Sequence, residues 1–304
     1  MKTSRTPKEE LIANFVMHLK NHGGIAESTC ASYSRYAREF VEDQFGVDGD
    51  LDFSLIDHRS ISKFIAARHG RWCTGSQKAA STGLRSFFRY LQLTGVINKE
   101  LAQSAPTIPI WKLSSVPRVL SENQVKTILG AFDKKKSIEL RRYASTMCLA
   151  HLGLRACEVS ALTLDDIDWK NATICIPSTK TRRDEFMPLP ISVARAILDY
   201  LRHGRPQTDT RQIFVCHAPP GVPAKPSVIR NAVRIAVERA GLDPHIGPHA
   251  FRHTIATRML ESGATIKQVS DVLRHRTIDT AAIYAKVNLS ALREAAAPWP
   301  GSPA

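Results

Sequence analysis

His249 and Arg252 are the pair of side chains in this sequence best suited to chemistry. Three residues apart on a helix, two side chains share one face and can converge on a single anionic group. The imidazole can carry a proton, and the guanidinium can hold a phosphate through two parallel hydrogen bonds. A lone pair with this spacing is more often a surface contact, so the catalytic interpretation depends on the rest of the chain.

Tyr284 and Arg155 are further candidates. Tyr284 follows His275 by nine residues. A tyrosine hydroxyl, with a reference pKa of about 10, becomes a nucleophile when neighbouring groups remove its proton, although most helical tyrosines are simply buried in a core. Arg155 precedes Glu158 by three residues, a spacing that also predicts a surface ion pair within one helical turn.

Four segments resemble, in order, the motifs of the tyrosine recombinase (phage integrase) family, of the Xer and integrase type. They are residues 151–162, similar to G-L-R-x-x-E-L; 177–188, similar to a hairpin with a lysine in its turn; 247–260, with H-x-x-R; and 272–286, similar to L-G-H followed by tyrosine. The resemblance covers residues 119–299 and implies the catalytic set Arg155, Lys180, His249, Arg252, His275 and Tyr284. Lys180 is the weakest assignment, because Arg182 and Arg183 lie close by.

The resemblance implies an enzyme that cleaves and rejoins DNA through a 3′-phosphotyrosyl intermediate. Its two arginines stabilise charge on the nonbridging oxygens, His249 is the base, and His275 is a second phosphate ligand. Lys180 supplies the proton for the leaving 5′-hydroxyl. The phosphotyrosyl bond conserves the energy of the broken bond, so neither ATP nor a metal is needed. The sequence agrees, since it has no P-loop motif and no carboxylate cluster suited to two metals.

Two positions depart from the family pattern: Arg274 stands where glycine is usual, and Phe251 where leucine is frequent. Neither change removes a catalytic group. Arg274 is expected to add positive charge near the site.

Length and charge predict two domains and a polyanionic partner. The chain has 304 residues, a net charge of +14 and a pI of about 9.7. Residues 59–99 contain eight basic side chains and no acidic one, whereas residues 27–57 are acidic. The candidate DNA-binding residues are Arg59, Lys63, Arg68, Arg71, Lys78, Arg85 and Arg89, with Arg182 and Arg183 in the second domain. The alternative is a solvated basic helix surface without a ligand.

Hydrophobic periodicity predicts a mainly α protein with a small antiparallel β-sheet in the catalytic domain. About four helices form residues 1–105, a core-binding type of DNA-binding domain; residues 106–118 form a proline-containing linker, and 119–304 the catalytic domain with its tail. A capping box at Ser121 opens the second domain. Strands are expected at 172–176 and 186–189, and helices at 142–152, 193–201, 227–240, 249–262, 265–273 and 279–287. The resemblance adds a C-shaped clamp around DNA.

The resemblance also implies the partners: double-stranded DNA with paired half-sites, and a homo-tetramer assembled on it from protomers that are monomeric in solution. The apolar pattern of residues 288–299 predicts a short helix that docks on a neighbouring subunit or folds back on its own domain.

Several classes are disfavoured by composition. No apolar run reaches the roughly 18 residues of a membrane span, and the first residues do not resemble a secretory signal, so a cytoplasmic protein is expected. The six cysteines show no metal or disulfide spacing and are expected to be reduced and mostly in the core. No cofactor is expected.

Three functions are compatible with these residues. The preferred one is a site-specific recombinase that integrates, excises or resolves DNA, with a mobile element as the favoured setting over chromosome dimer resolution. A type IB topoisomerase-like enzyme would relax a single duplex with the same residues. An inactive DNA-binding regulator would keep the fold, but the complete catalytic set argues against it.

Overall fold

The computed structural model describes residues 6–46, 50–109, 117–176, 185–274 and 283–284. Lys180, Arg182, Arg183, His275 and the tail 288–299 lie outside these residues. The chain divides into two compact units, Met1–Ser114 and Ser115–Ala304. No helix in the described ranges is both long enough and apolar enough to cross a bilayer.

The first unit is helical, as the sequence predicts. Its helices are α1 (Pro7–Gly23), α2 (Glu27–Phe45), α3 (His58–Ala66) and α4 (Thr74–Leu93), with short 3₁₀ turns at Phe53–Leu55 and Ala102–Ser104. Capping boxes at Thr6 and Asp57 satisfy the free backbone N–H groups at the starts of α1 and α3. Aromatic rings fill the core between the helices, with Phe40 and Phe64 packed edge to face at a centroid distance of 5.1 Å.

The second unit contains seven α-helices within its described residues, besides a 3₁₀ turn at Leu164–Asp166. They are α5 (Glu122–Gly130), α6 (Ser137–Leu152), α7 (Ala156–Ala161), α8 (Ile191–His203), α9 (Pro226–Arg239), α10 (Pro248–Glu261) and α11 (Ile266–Val272). Helix α6 is central, since it contacts α8, α9 and α10, and its Ala144, Cys148 and Leu149 are fully buried. The predicted capping box at Ser121 is present at the start of α5.

A small antiparallel sheet accompanies these helices, in the order β1 (Ile167–Asp168), β2 (Thr173–Ile176) and β3 (Glu185–Pro188). Ile174 of β2 pairs with Ile167 on one side and Met187 on the other. Strands β2 and β3 confirm the predicted hairpin. Strand β1 is not apparent from the sequence, because two residues are too short for a periodic pattern.

Two expectations need correction. Helix α6 begins at Ser137, earlier than the predicted 142. Its first turn contributes Leu140 to the core but also buries a charged residue, Glu139, which is paired with Arg142 and Arg239 and interrupts the apolar pattern. The cysteines are not mostly core residues. Only Cys30 and Cys148 are buried. All six cysteines are free thiols. The predicted helix at 279–287 lies outside the described residues except for 283–284.

Candidate active site

Arg155 is held at the start of α7 by Glu158. As the N-cap residue, Arg155 donates its backbone N–H to Glu158 Oε2 at 2.8 Å and its Nη1 to Glu158 Oε1 at 2.6 Å. The ion pair foreseen as the alternative to catalysis therefore exists. It is not a surface pair, since the Glu158 side chain is only 11% exposed. Its effect is to fix a guanidinium that remains 33% exposed and within reach of a ligand.

Glu158 is ionised at neutral pH. Burial alone would raise the pKa of its carboxyl group, but the Arg155 N–H bond and the charges of Arg274 and Arg155 outweigh burial and bring the pKa below the usual glutamate value. One carboxylate thus balances two guanidinium groups.

Arg252 is almost fully buried, at 3% exposure on α10. Its Nη1 donates to the carbonyl of Gly153 at 2.7 Å, and its Nη2 donates to the carbonyl of Leu273. Burial, reinforced by the nearby charge of Arg155, lowers the pKa of Arg252 to about 10, so the group stays protonated at neutral pH. These bonds to described residues occupy two of its five N–H donors.

Gly153 is the glycine of the segment that carries Arg155, and the structure shows why glycine stands there. Its φ is +61°, in the left-handed region, and it ends α6. A β-carbon at this position would lie 2.9 Å from Leu273 Cδ2. The absence of a side chain lets the carbonyl of Gly153 reach Arg252, so the glycine serves the site as well as the turn.

The end of α11 brings the two arginines together. The carbonyl of Leu273 accepts from Arg252, and the carbonyl of Arg274 accepts from Arg155 Nη2 at 3.2 Å. Carbonyl groups at a helix C-terminus lack helical partners and carry partial negative charge. They therefore neutralise part of the repulsion between two adjacent guanidinium groups.

His249 is the second residue of α10 and is exposed. Partial desolvation of the ring, together with the positive charges of Arg252 and Arg155, lowers its pKa from the usual 6.5. The imidazole is therefore neutral at physiological pH and able to accept a proton.

Tyr284 is buried, at 2% exposure, against an apolar cluster. The cluster contains Ala256, Leu260, Val269 and Leu273. Burial raises the pKa of the Tyr284 hydroxyl, and the charges of Arg252 and Arg155 offset only part of that rise. The phenol is protonated in this arrangement, so attack requires both access to substrate and removal of the proton.

His253 is a contact of the tyrosine that the sequence analysis missed. Its Nδ1 lies 3.1 Å from Tyr284 Oη, and its ring lies 5.5 Å from the tyrosine ring and 6.4 Å from that of His249. Burial, with the charges of His249 and Arg252, lowers the pKa of His253, so its neutral ring can accept the phenolic proton at Nδ1. The sequence does contain a signal for His253: it lies four residues after His249, and residues four apart share a helix face.

Arg274 adds positive charge near the site, as expected, since its charge helps to lower the pKa of Arg252. That charge is paired, however, because the side chain is only 9% exposed and contacts two carboxylates. The Nη2 atom lies 3.3 Å from Glu158 Oε2, and Nε lies 3.9 Å from Glu185 Oε2. Its backbone φ is +54°, which suits the glycine usual at this position.

Within the second unit, the charges of Arg155 and Arg252 thus act on both His249 and Tyr284, and both arginines are held by the carbonyls of residues 273–274. Lys180 and His275 lie outside the described residues, between β2 and β3 and directly after Arg274 respectively. No group of three or more His, Cys, Asp or Glu side chains in the described ranges is placed to hold a metal ion.

The candidate DNA-binding residues of the first unit fall into two groups. Five are exposed: Arg59, Lys63, Arg71, Lys78 and Arg89. Two are engaged in their own unit. Arg68 pairs with Asp43 at 2.9 Å and stacks on Phe64 at 3.6 Å, and Arg85 donates to the carbonyl of Ala105 at 2.9 Å. The exposed group is the part of the basic stretch free to meet phosphates.

Comparison with known proteins finds integrases and recombinases by both sequence and structure. Residues 118–290 match the Phage integrase family. The chain is 37% identical over 295 residues to the "Putative integrase/recombinase y4rA" of Sinorhizobium fredii, an alignment that covers 96% of this chain and 71% of that relative. The fold is similar to that of XerA recombinase, with a TM-score of 0.51, 26% identity, and 94% and 97% of the two chains covered. A lambda integrase tetramer bound to a Holliday junction shares the fold at a TM-score of 0.64 and 16% identity, with 90% and 76% covered.

Proposed function

We propose how this chain, which belongs to the phage integrase family and is a site-specific recombinase, breaks and rejoins DNA. Tyr284 Oη attacks the scissile phosphorus and displaces the 5′-oxygen, leaving a 3′-phosphotyrosyl bond and a free 5′-hydroxyl. Attack by a 5′-hydroxyl of another strand reverses the chemistry. The observation that carries this proposal is that Tyr284 packs in one cluster with Leu273, the residue whose carbonyl holds Arg252, while the carbonyl of the next residue, Arg274, holds Arg155.

The arginines stabilise the transition state. Phosphodiester transfer gathers negative charge on the nonbridging oxygens, and donors fixed in advance stabilise that charge without reorganisation. Arg155 is anchored by Glu158 and Arg252 by two backbone carbonyls, so both guanidinium groups are fixed before substrate arrives. Arg155 keeps a third of its side-chain surface exposed, which makes it the group that meets phosphate first.

Proton transfer involves the histidines. His249 is neutral and exposed, which suits the base that takes the tyrosine proton when phosphate is bound. His253 holds the same hydroxyl in the buried arrangement described above. We assign Tyr284 a movement from its contact with His253 towards the phosphate before it reacts. Lys180 donates the proton to the leaving 5′-oxygen, and His275 is a second phosphate ligand.

We assign DNA binding and assembly as follows. Residues 1–105 bind DNA through the exposed basic side chains, residues 106–118 link the domains, and residues 119–304 carry catalysis. Arg182 and Arg183 add phosphate contacts beside Lys180. The fold shared with the lambda integrase tetramer supports a homo-tetramer on paired half-sites, with the protomer monomeric when free. The protein acts in the cytoplasm, in the movement of a mobile element.

A nicked DNA substrate tests the proposal. The bound site is first selected from a random duplex pool, and a nick is then placed at each step through its centre, so that the short cleaved strand diffuses away and traps the enzyme. We expect a covalent adduct that resists detergent with wild-type protein and none with Tyr284→Phe. An undiminished adduct in Tyr284→Phe contradicts the mechanism.

A paired-site substrate separates recombination from relaxation. Two selected sites on one supercoiled plasmid should yield recombinant circles, whereas a topoisomerase-like enzyme would only relax the plasmid at a single site. A regulator without activity would bind the site and form no adduct. Lys63→Ala should weaken binding and reduce its dependence on salt by about one counterion.

A further inference from the structure

Arg274 adopts a backbone conformation that disfavours its own side chain. With φ at +54° it is one of two non-glycine residues with positive φ in the described part of the chain. A β-carbon is strained in this region, where glycine is not. Arg274 follows Leu273, the C-cap residue of α11, at the position where helices commonly place glycine. Because its backbone conformation is strained, we expect the Arg274 side chain to make stabilising contacts with other parts of the site.

The side chain of Arg274 reaches two other elements of the site. Its Nη2 contacts Glu158 Oε2 at 3.3 Å, at the start of α7. Its Nη1 donates to the carbonyl of Val272 at 3.1 Å and lies 3.5 Å from the sulfur of Met187 on β3. With 9% of the side chain exposed, the guanidinium is an internal connection between α7, α11 and β3.

Arg274 supports Arg155 in two ways, through Glu158 and through its own carbonyl. Glu158 uses Oε1 for the Arg155 guanidinium, while its Oε2 accepts from both the Arg155 backbone and Arg274. The carbonyl of Arg274 in turn accepts from Arg155 Nη2 at 3.2 Å. Backbone and side chain of one residue therefore fix both ends of the Arg155–Glu158 pair.

A second carboxylate extends the connection to the hairpin. Glu185 is the first residue of β3, and its Oε2 lies 3.9 Å from Arg274 Nε. That Nε is buried and has no hydrogen-bond partner among the described residues. Since a buried donor without a partner is costly, a small movement of the half-exposed Glu185 towards Nε would be favourable.

We propose that Arg274 is a positioning residue, which fixes Arg155 through Glu158 and ties the start of β3 to the end of α11. Arg274 does not touch the reacting atoms. It sets the direction of the Arg155 guanidinium and the placement of the strand that follows the Lys180 segment. The inference rests on the proposed function, since it assumes that Arg155 stabilises the transferring phosphate.

Arg274→Gly is the main test, because glycine suits the backbone and removes only the side chain. We expect site binding within about twofold of wild type, and single-turnover adduct formation slowed about tenfold or more, since a misplaced catalytic group lowers rate rather than affinity. Arg274→Lys, which keeps one cation, should recover part of the rate. Lys267→Ala, an exposed cation on α11 paired with Asp271, is the matched control and should cleave like wild type.

A double-mutant cycle tests whether Arg274 acts through Arg155. If it does, Arg274→Gly should have little further effect in an Arg155→Lys background, because the guanidinium that it directs is absent. Equal slowing in both backgrounds overturns the proposal, as does a wild-type rate in Arg274→Gly. If Arg274→Gly melts at a lower temperature than wild type, Arg274→Lys decides, and a wild-type rate there overturns it. No adduct with wild-type protein would instead contradict the proposed function.

Discussion

Replacing Glu158 by glutamine should destabilise the second unit in a way that depends on pH. The amide keeps the shape of the carboxylate but leaves the guanidinium groups of Arg155 and Arg274 facing a neutral group. Removing one partner of a buried ion pair costs about 3–5 kcal/mol. Because a third of the Arg155 side chain is exposed, water compensates part of that loss, and we expect roughly 2–4 kcal/mol. In a unit of this size the melting temperature should fall by about 5–15 °C.

The pH dependence follows from the sign of the pKa shift. The pKa of Glu158 in the folded protein lies below the ordinary value of 4.5. Its contribution to stability is therefore fully present above that value and is lost as pH falls through the lower, folded pKa. The difference in melting temperature between wild type and Glu158→Gln should be constant from about pH 6 to 8 and shrink below 4.5.

Calorimetry of the full-length protein across this pH range measures the effect, with Glu122→Gln as the control. Glu122 also pairs with a basic residue, Lys126, but both side chains are about 70% exposed, so little change is expected. A Glu158→Gln protein as stable as wild type at neutral pH, or a difference that persists unchanged in acid, would refute this account of the Glu158 cluster.

Three further predictions concern the site. Because the pKa of His249 is below 6.5, adduct formation in wild type should be independent of pH above that value and slow as the imidazole becomes protonated below it; a decline that begins at higher pH would assign the base elsewhere. His253→Phe and Tyr284→Phe should together cost about 1 kcal/mol less stability than the sum of the single changes, since each removes the same 3.1 Å contact; additive losses in chemical denaturation would contradict the contact. Gly153→Ala should lose roughly 2 kcal/mol of stability through its positive φ and the clash with Leu273, and a neutral result would argue against this turn.

The sequence predicted the fold well where one physical rule dominated. Apolar spacing located helices such as α9 and α10, and the serine at 121 located the start of α5, because both signals are local. At α6 it missed only the start, where the first turn buries a charged residue: Glu139 has its partner Arg239 a hundred residues away, and no window of sequence contains that pair.

At the site, too, local signals were readable from the sequence and long-range contacts were not. The resemblance to the family's motifs named Arg155, His249, Arg252 and Tyr284, but not how they are held. The carbonyls of residues 153, 273 and 274 that hold the arginines carry no side-chain signature, so they emerge only from the fold. The inward turn of Arg274 was equally invisible, since a charged residue is normally expected at the surface.

The chemical identity of the bond between protein and DNA tests the central claim most directly. The adduct trapped on nicked substrate is digested with protease and nuclease, and the modified peptide is sequenced by mass spectrometry. We predict a nucleotide attached through its 3′-phosphate to Tyr284, with a free 5′-hydroxyl on the released strand. Attachment through a 5′-phosphate, or at any residue other than Tyr284, would contradict the mechanism.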